Sequence, residues 1–378
     1  MSVTVPPTRT RLRRLALGSA LAASLTAGLA AAPAQAESMA APRIAAARAA
    51  VVAAPAARTS VATTVTSASV GRKALAMYGK PRSGMLWHSG IWTGNGMSAA
   101  RSLAAESWAG RRFDFTTVYP SYDSWAEMAD SSWITREMAG WNGRLVVGLP
   151  LLPNNRKGQW ADVTSGSHDY VFRQIARDLR AGGRGDAAIR VGLEANGDWF
   201  AWGATYATAS KFRAAFQRVV TIMNRESPGL TFWFDTSSGF GLPGQKTRLD
   251  ALTVLYPGDR YVDGISMDHY DFWELKASNS LSFSRALRPV KGPGLGDAVA
   301  FARAHHKGFA VPEWGVHGAS FGGGDNPYFI VKMHQFFYAN RDVLVFECYF
   351  NEPMSYIKNS LFSPVQMPKS AAVYKRWF

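Results

Sequence analysis

The chain has 378 residues, 47% of them hydrophobic, a formal charge of +15 and one cysteine, Cys348. That is enough apolar material for one large core and too little in long runs for a polytopic membrane protein, and with a lone cysteine no internal disulfide staples it. Cys348, inside an apolar run, reads as buried and inert.

Arg9, Arg11, Arg13 and Arg14 precede a mild apolar run, Leu15 to Ala32, and Ala34-Gln35-Ala36 places small residues where a signal peptidase reads. Residues 1–36 are therefore expected to be a secretory signal, and the mature product to be extracellular or cell-wall associated rather than membrane-inserted. Cleavage after Ala36 removes four arginines and no acid from +15, which leaves +11. Such a charge suits an anionic cell wall as a secondary partner. Residues 37–72 hold Ala, Val, Thr and Arg without one aromatic, and read as a disordered leader. Aromatic-rich sequence, the expected folded domain, runs from Lys73 to Phe378.

Eight short apolar segments follow, each bounded by turn chemistry: Met85 to Trp92, Phe113 to Tyr119, Leu145 to Leu152, Ile189 to Glu194, Leu230 to Asp235, Val262 to Tyr270, Phe309 to Glu313 and Val343 to Phe350. Helical stripes lie between them, as in Val171, Ile175 and Leu179, or Phe212, Ala215, Phe216, Val219 and Met223. Asn326-Pro327 opens a further helix as a cap and first-turn proline, with Phe329, Ile330, Met333 and Phe337 below it. Strand and helix in alternation, eight times over, predict a (β/α)8 TIM barrel, an α/β fold whose chemistry gathers at the C-terminal ends of the strands.

Polar and aromatic residues do cluster at those ends. Trp92 closes the first segment, Glu194-Ala195-Asn196 the fourth, Asp268-His269-Tyr270 the sixth and Glu313-Trp314-Gly315 the seventh. Glu194 and Glu313 face each other across the expected mouth. Paired carboxylates cleave glycosidic bonds, one protonating the departing oxygen while the other attacks the anomeric carbon or activates water. Glu194, crowded by Trp199, Phe200 and Trp202, suits the acid, because desolvation favours the neutral form. Flat aromatic faces and directional polar groups together suit a sugar. His88 and Trp92 are further candidates for sugar contact, and Asp235 and Asp268 for binding hydroxyls or bracing. Glu347, inside an apolar run, is expected to pair with a buried arginine, and Glu352 to be a loop carboxylate. The Gly322-Gly323-Gly324 run reads as a flexible active-site loop. Metal, phosphate and dinucleotide motifs are absent, so no metal or cofactor is expected, and no basic motif points to nucleic acid.

The stretch LEANGDWFAWG resembles the HEMNG-x-WF-x-WG signature of glycoside hydrolase family 26, the β-mannanase-like group of the retaining (β/α)8 clan. Further likeness lies in Tyr256-Pro257-Gly258-Asp259, in Asp268-His269-Tyr270-Asp271 and in Pro312-Glu313-Trp314-Gly315. The resemblance implies that Glu194 is the acid/base and Glu313 the nucleophile, with Arg190, Trp199 and Trp202 at the substrate and Tyr270 on the nucleophile. Asn196 and Trp314 fall inside the same motifs. Where the mannanases carry a histidine before the acid/base, this chain has Leu193, so the expected substrate widens to β-linked mannan, xylan or glucan, cut internally by a monomeric enzyme. The rival expectation is a carbohydrate-binding or wall-associated protein on a catalytically degenerate barrel.

Overall fold

The computed structural model describes residues 77–94 and 96–378; the expected secretory signal and leader lie outside them. Eight strands form one closed barrel: β1 His88–Trp92, β2 Phe115–Val118, β3 Arg144–Leu149, β4 Ala188–Val191, β5 Thr231–Ser237, β6 Gly264–Tyr270, β7 Gly308–Gly315 and β8 Leu344–Phe350. All neighbours pair in parallel, and β8 returns to β1 with His88 opposite Phe346 and Trp92 opposite Phe350. Each segment expected from the sequence overlaps one of these strands, and the (β/α)8 fold is borne out.

Helices wrap the barrel as the stripes require. Ala209–Glu226 buries Phe212, Ala215, Phe216, Val219 and Met223, and Asp169–Ala181 buries Val171, Ile175 and Leu179. Pro327–Ala339 starts on Asn326, whose side chain accepts from the Phe329 N–H and so satisfies one of the donors that a helix start leaves free.

Inside the barrel, alternate residues of each strand stack in layers. The lower layer is solid: Phe115, Val146, Ala188, Trp233, Ala310, Phe346 and Cys348 fill it, and Tyr78 closes it from below beside Trp233 and Thr231. Gly90 belongs to this layer because a Cβ there would stand 2.4 Å from Cys348 Sγ and 2.5 Å from the Phe115 carbonyl oxygen. One step up each strand the layer turns polar. Arg190 stands above Ala188, Asp235 above Trp233, and Asp268 two residues beyond Ser266. The apolar plug is thus the floor of a charged site.

Two local departures from regular strand geometry aim the site. β4 stops at Val191, three residues short of the expected end, because Gly192 (φ 60°) and Glu194 (φ 49°) turn the chain through the left-handed region. The Glu194 carboxyl therefore rises from a turn rather than from a pleat. On β7 the pairing slips between Val311 and Trp314, around Pro312, which has no N–H to give a ladder. The bulge lets Ala310 and Glu313 face inward although three positions separate them.

Candidate active site

Arg190 organises the polar layer. It is fully buried, chelates Asp235 through Nε (3.1 Å) and Nη2 (2.9 Å), bonds Asp268, and donates from Nη1 to Glu313 Oε1 at 2.6 Å. Such a desolvated cation stays charged because three carboxylates surround it, and they hold its pKa well above the ordinary value against the penalty of burial. The two aspartates pass the order outward. Asp235 Oδ1 accepts the backbone N–H of Glu194 at 2.8 Å, and Asp268 Oδ1 accepts that of Glu313 at 3.1 Å. Ser266 Oγ donates to Asp235 Oδ2 at 2.6 Å. One guanidinium thus sets the backbone of both glutamates through two matched braces.

The two glutamates meet different partners. Glu313 accepts from three donors: Arg190, the Tyr119 hydroxyl at 2.6 Å on Oε1, and the Tyr270 hydroxyl at 2.9 Å on Oε2. Both oxygens are engaged as acceptors, the arrangement of an ionised carboxylate. Among the described residues the Glu194 carboxyl receives only the indole N–H of Trp199, at 2.9 Å on Oε2. Burial first, then the charges of Glu313 and Asp235, push its pKa up to about 8, with Arg190 and the Trp199 bond pulling the other way. Of the four carboxyls, Glu194 is the one with no bond to the Arg190 guanidinium. Asp268 is also shifted upward, chiefly by burial, but it lies sealed beneath the site.

Several residues expected at the substrate stand elsewhere. Trp314 is fully buried on the outer face of β7, its indole N–H on Glu347 Oε2 at 2.6 Å and its ring among Tyr349, Phe329 and Phe378. The bulge that turns Glu313 inward turns Trp314 out. His88 begins β1, at the barrel floor, buried between Tyr78 and Phe115 beside Asp114. Trp92 and Trp202 are buried: the first donates to Glu352 and stacks on Phe350, the second donates to the Leu193 carbonyl and stacks on Phe200. Asn196 spends its amide on the backbone of Ser237, at the end of β5, and of Phe240 in the loop beyond, and Asp268 spends its carboxyl on Arg190 and Glu313. These residues build the site without facing its opening. Arg190, Trp199 and Tyr270 do converge on the glutamates.

Two further expectations change, and a third is refined. Glu347 finds an indole instead of a direct arginine partner, and burial raises its pKa to about 7. Glu352 is a loop carboxylate beyond β8, as expected, and is buried there. The triple-glycine loop is packed: Gly322 bridges to Phe272, Gly323 N–H donates to the Asp271 carbonyl at 2.8 Å, and a Cβ on Gly322 would lie 1.9 Å from the His317 carbonyl oxygen.

Tyr119 was not among the sequence candidates. It follows β2, and Gly148 makes room for it, since a Cβ there would sit 2.7 Å from the Tyr119 ring and 3.2 Å from Leu193. The signal was available in principle as an aromatic at a strand end. Among the described residues no group of His, Cys, Asp and Glu is arranged to hold a metal ion, and no helix is long and apolar enough to cross a membrane.

Residues 187–293 match the sequence model of glycosyl hydrolase family 26. The likeness is to that family. The family 26 match takes in Arg190, Glu194, Asp235, Asp268 and Tyr270, whereas β7 with Glu313 lies beyond it. Endoglucanase H of Acetivibrio thermocellus is 26% identical over 213 residues, 55% of this chain and 22% of that one. A mannan endo-1,4-β-mannosidase of Bifidobacterium adolescentis is 29% identical over 155 residues, 40% of this chain and 14% of its own length. The match thus spans under a quarter of either relative. The fold extends the likeness: a modular endo-β-1,4-mannanase from Cellulomonas fimi superposes with a TM-score of 0.57 at 17% identity, covering 82% of this chain and 73% of that one. A GH26 β-mannanase from Bacteroides ovatus gives 0.55 at 14% identity, over 82% and 93%.

Proposed function

We propose that this chain is a secreted glycoside hydrolase that cuts β-linked polysaccharide internally by double displacement. One observation carries the reading: two carboxyls in opposite protonation environments share one mouth, Glu194 with its pKa raised to about 8 and Glu313 gripped by three donors. In the first step Glu194 gives its proton to the glycosidic oxygen while a Glu313 oxygen attacks the anomeric carbon; the C–O bond breaks and the leaving sugar departs as an alcohol. In the second, water loses a proton to the Glu194 carboxylate and its oxygen displaces Glu313, which regenerates both groups.

The relatives named for mannan and as an endoglucanase make β-1,4-mannan and β-glucan the first substrates to try, with xylan beside them. Release of reducing ends from one of these by the mature chain is expected, with the first product in the β anomeric form by proton NMR. Glu194→Gln should lower kcat by about 10²- to 10⁴-fold, the usual worth of a general acid. Glu313→Gln should lower it at least as far. An α product, or full activity in either variant, would refute the assignment.

A further inference from the structure

We infer that the cavity between the loops after β5 and β6 receives one sugar ring of the departing portion of the substrate. The proposal rests on the glycosidase reading above and adds a subsite to it. The cavity measures about 220 Å³. That is below the ~300 Å³ at which pockets for larger ligands begin, so it suits one ring and not a run of them.

Its position follows from the acid. A general acid protonates the oxygen that leaves, so the sugar bearing that oxygen lies against the acid's own neighbours. Glu194 is bonded to Trp199, the Trp199 ring meets Phe240 edge-on at 4.8 Å, and Phe240 lines the cavity. Phe272, Trp273 and Leu275 supply the rest of an apolar floor, with Phe272 and Trp273 centred 5.1 Å apart. Lys291 and Glu274 line it as well, and both are exposed. A donor and an acceptor over aromatic faces are what a ring with two polar edges and one apolar face requires.

The floor is also built to hold its shape. Trp273 is a non-glycine residue at φ 45°, pinned by its N–H on the Phe321 carbonyl at 3.0 Å and by the neighbouring Phe272–Gly322 bridge. Conformations of this kind persist where surrounding contacts over-determine them, and they gather at ligand clamps.

The test compares two substrates of the mature chain: whichever of the β-1,4-manno-, xylo- or mixed-linkage gluco-hexasaccharides it cleaves, and the β-glycosyl fluoride of the same sugar, whose single-atom leaving group places no ring in the cavity. Trp273→Ala and Lys291→Ala should each lower kcat/KM for the hexasaccharide more than for the glycosyl fluoride. The excess should be roughly tenfold for the tryptophan, carried in KM, as for a buried aromatic anchor. The cleavage position along the hexasaccharide should shift as well, and Trp273→Phe should restore part of the loss. Equal losses on both substrates, or none, would overturn the proposal while leaving the glycosidase reading standing. A wild-type chain that cleaves no glycan would remove that reading and this subsite with it.

Discussion

Glu194 is where protonation governs both rate and stability. In its proposed role as the acid it must hold its proton, so turnover should fall as pH rises through about 8. The stability effect has a definite sign. In the unfolded chain this group titrates near its ordinary 4.5, in the folded chain near 8, so the fold binds the proton more tightly. Its contribution is therefore fully present below the unfolded value and is eroded between the two, at a limiting slope of about 1.4 kcal/mol per pH unit. Glu194→Gln removes this erosion. The difference in melting temperature, variant minus wild type, should grow from pH 5 to pH 8, and a constant difference across that range would contradict the pKa. Arg190→Ala acts in the opposite direction: stripping the cation from three buried carboxylates should destabilise the fold by about 3–5 kcal/mol in denaturant titration. Tyr119→Phe leaves the ring on Gly148 and deletes only the hydroxyl on Glu313, so kcat should drop with little change in the unfolding midpoint.

At the scale of elements, the bulge around Pro312 decides which side chain faces the inside of the barrel. Regular alternation from Ala310 would send Glu313 outward to the helices; the register slip reverses the parity and sends Trp314 there instead. Trp314→Ala should therefore behave as a core mutation, costing about 3–5 kcal/mol in denaturant titration. Loss of sugar affinity with the stability unchanged would show that the tryptophan reaches the cleft after all. The same slip explains what the amino-acid pattern could and could not reveal. Period and turn chemistry are local, so eight strands and the stripes of Val171 and Phe212 were legible. Glu194 and Glu313 were legible because aromatics and turn residues mark strand exits. The roles of Trp314 and His88 were not, since a bulge and a strand's direction are set by partners far along the chain. Tyr119 escaped for the same reason: it meets Glu313 across 194 positions of sequence.

Over the whole molecule, the back of the site depends on the chain's last helix. Pro368–Trp377 and Phe378 cover the outer face of β7, where Tyr374 and Phe378 stack at 4.8 Å and Phe378 lies 5.2 Å from Trp314. Removing residues 368–378 should expose Trp314 and Tyr349 and lower both the melting temperature and kcat, although no removed atom reaches the cleft. A truncated chain that kept full turnover at 25 °C would show that the bulge holds without this support.

The grip on Glu313 has one more consequence. If its side chain is cut back to alanine, a guanidinium and two phenol hydroxyls are left aimed at a hollow the size of a carboxylate. Such a hollow is a receptor for small anions, so formate or azide should settle in Glu313→Ala and raise its melting point. With the proposed nucleophile gone and Glu194 left to take the acceptor hydroxyl's proton as fluoride departs, that variant offered an α-glycosyl fluoride should join sugars instead of parting them, and mass spectrometry would read the lengthened chains.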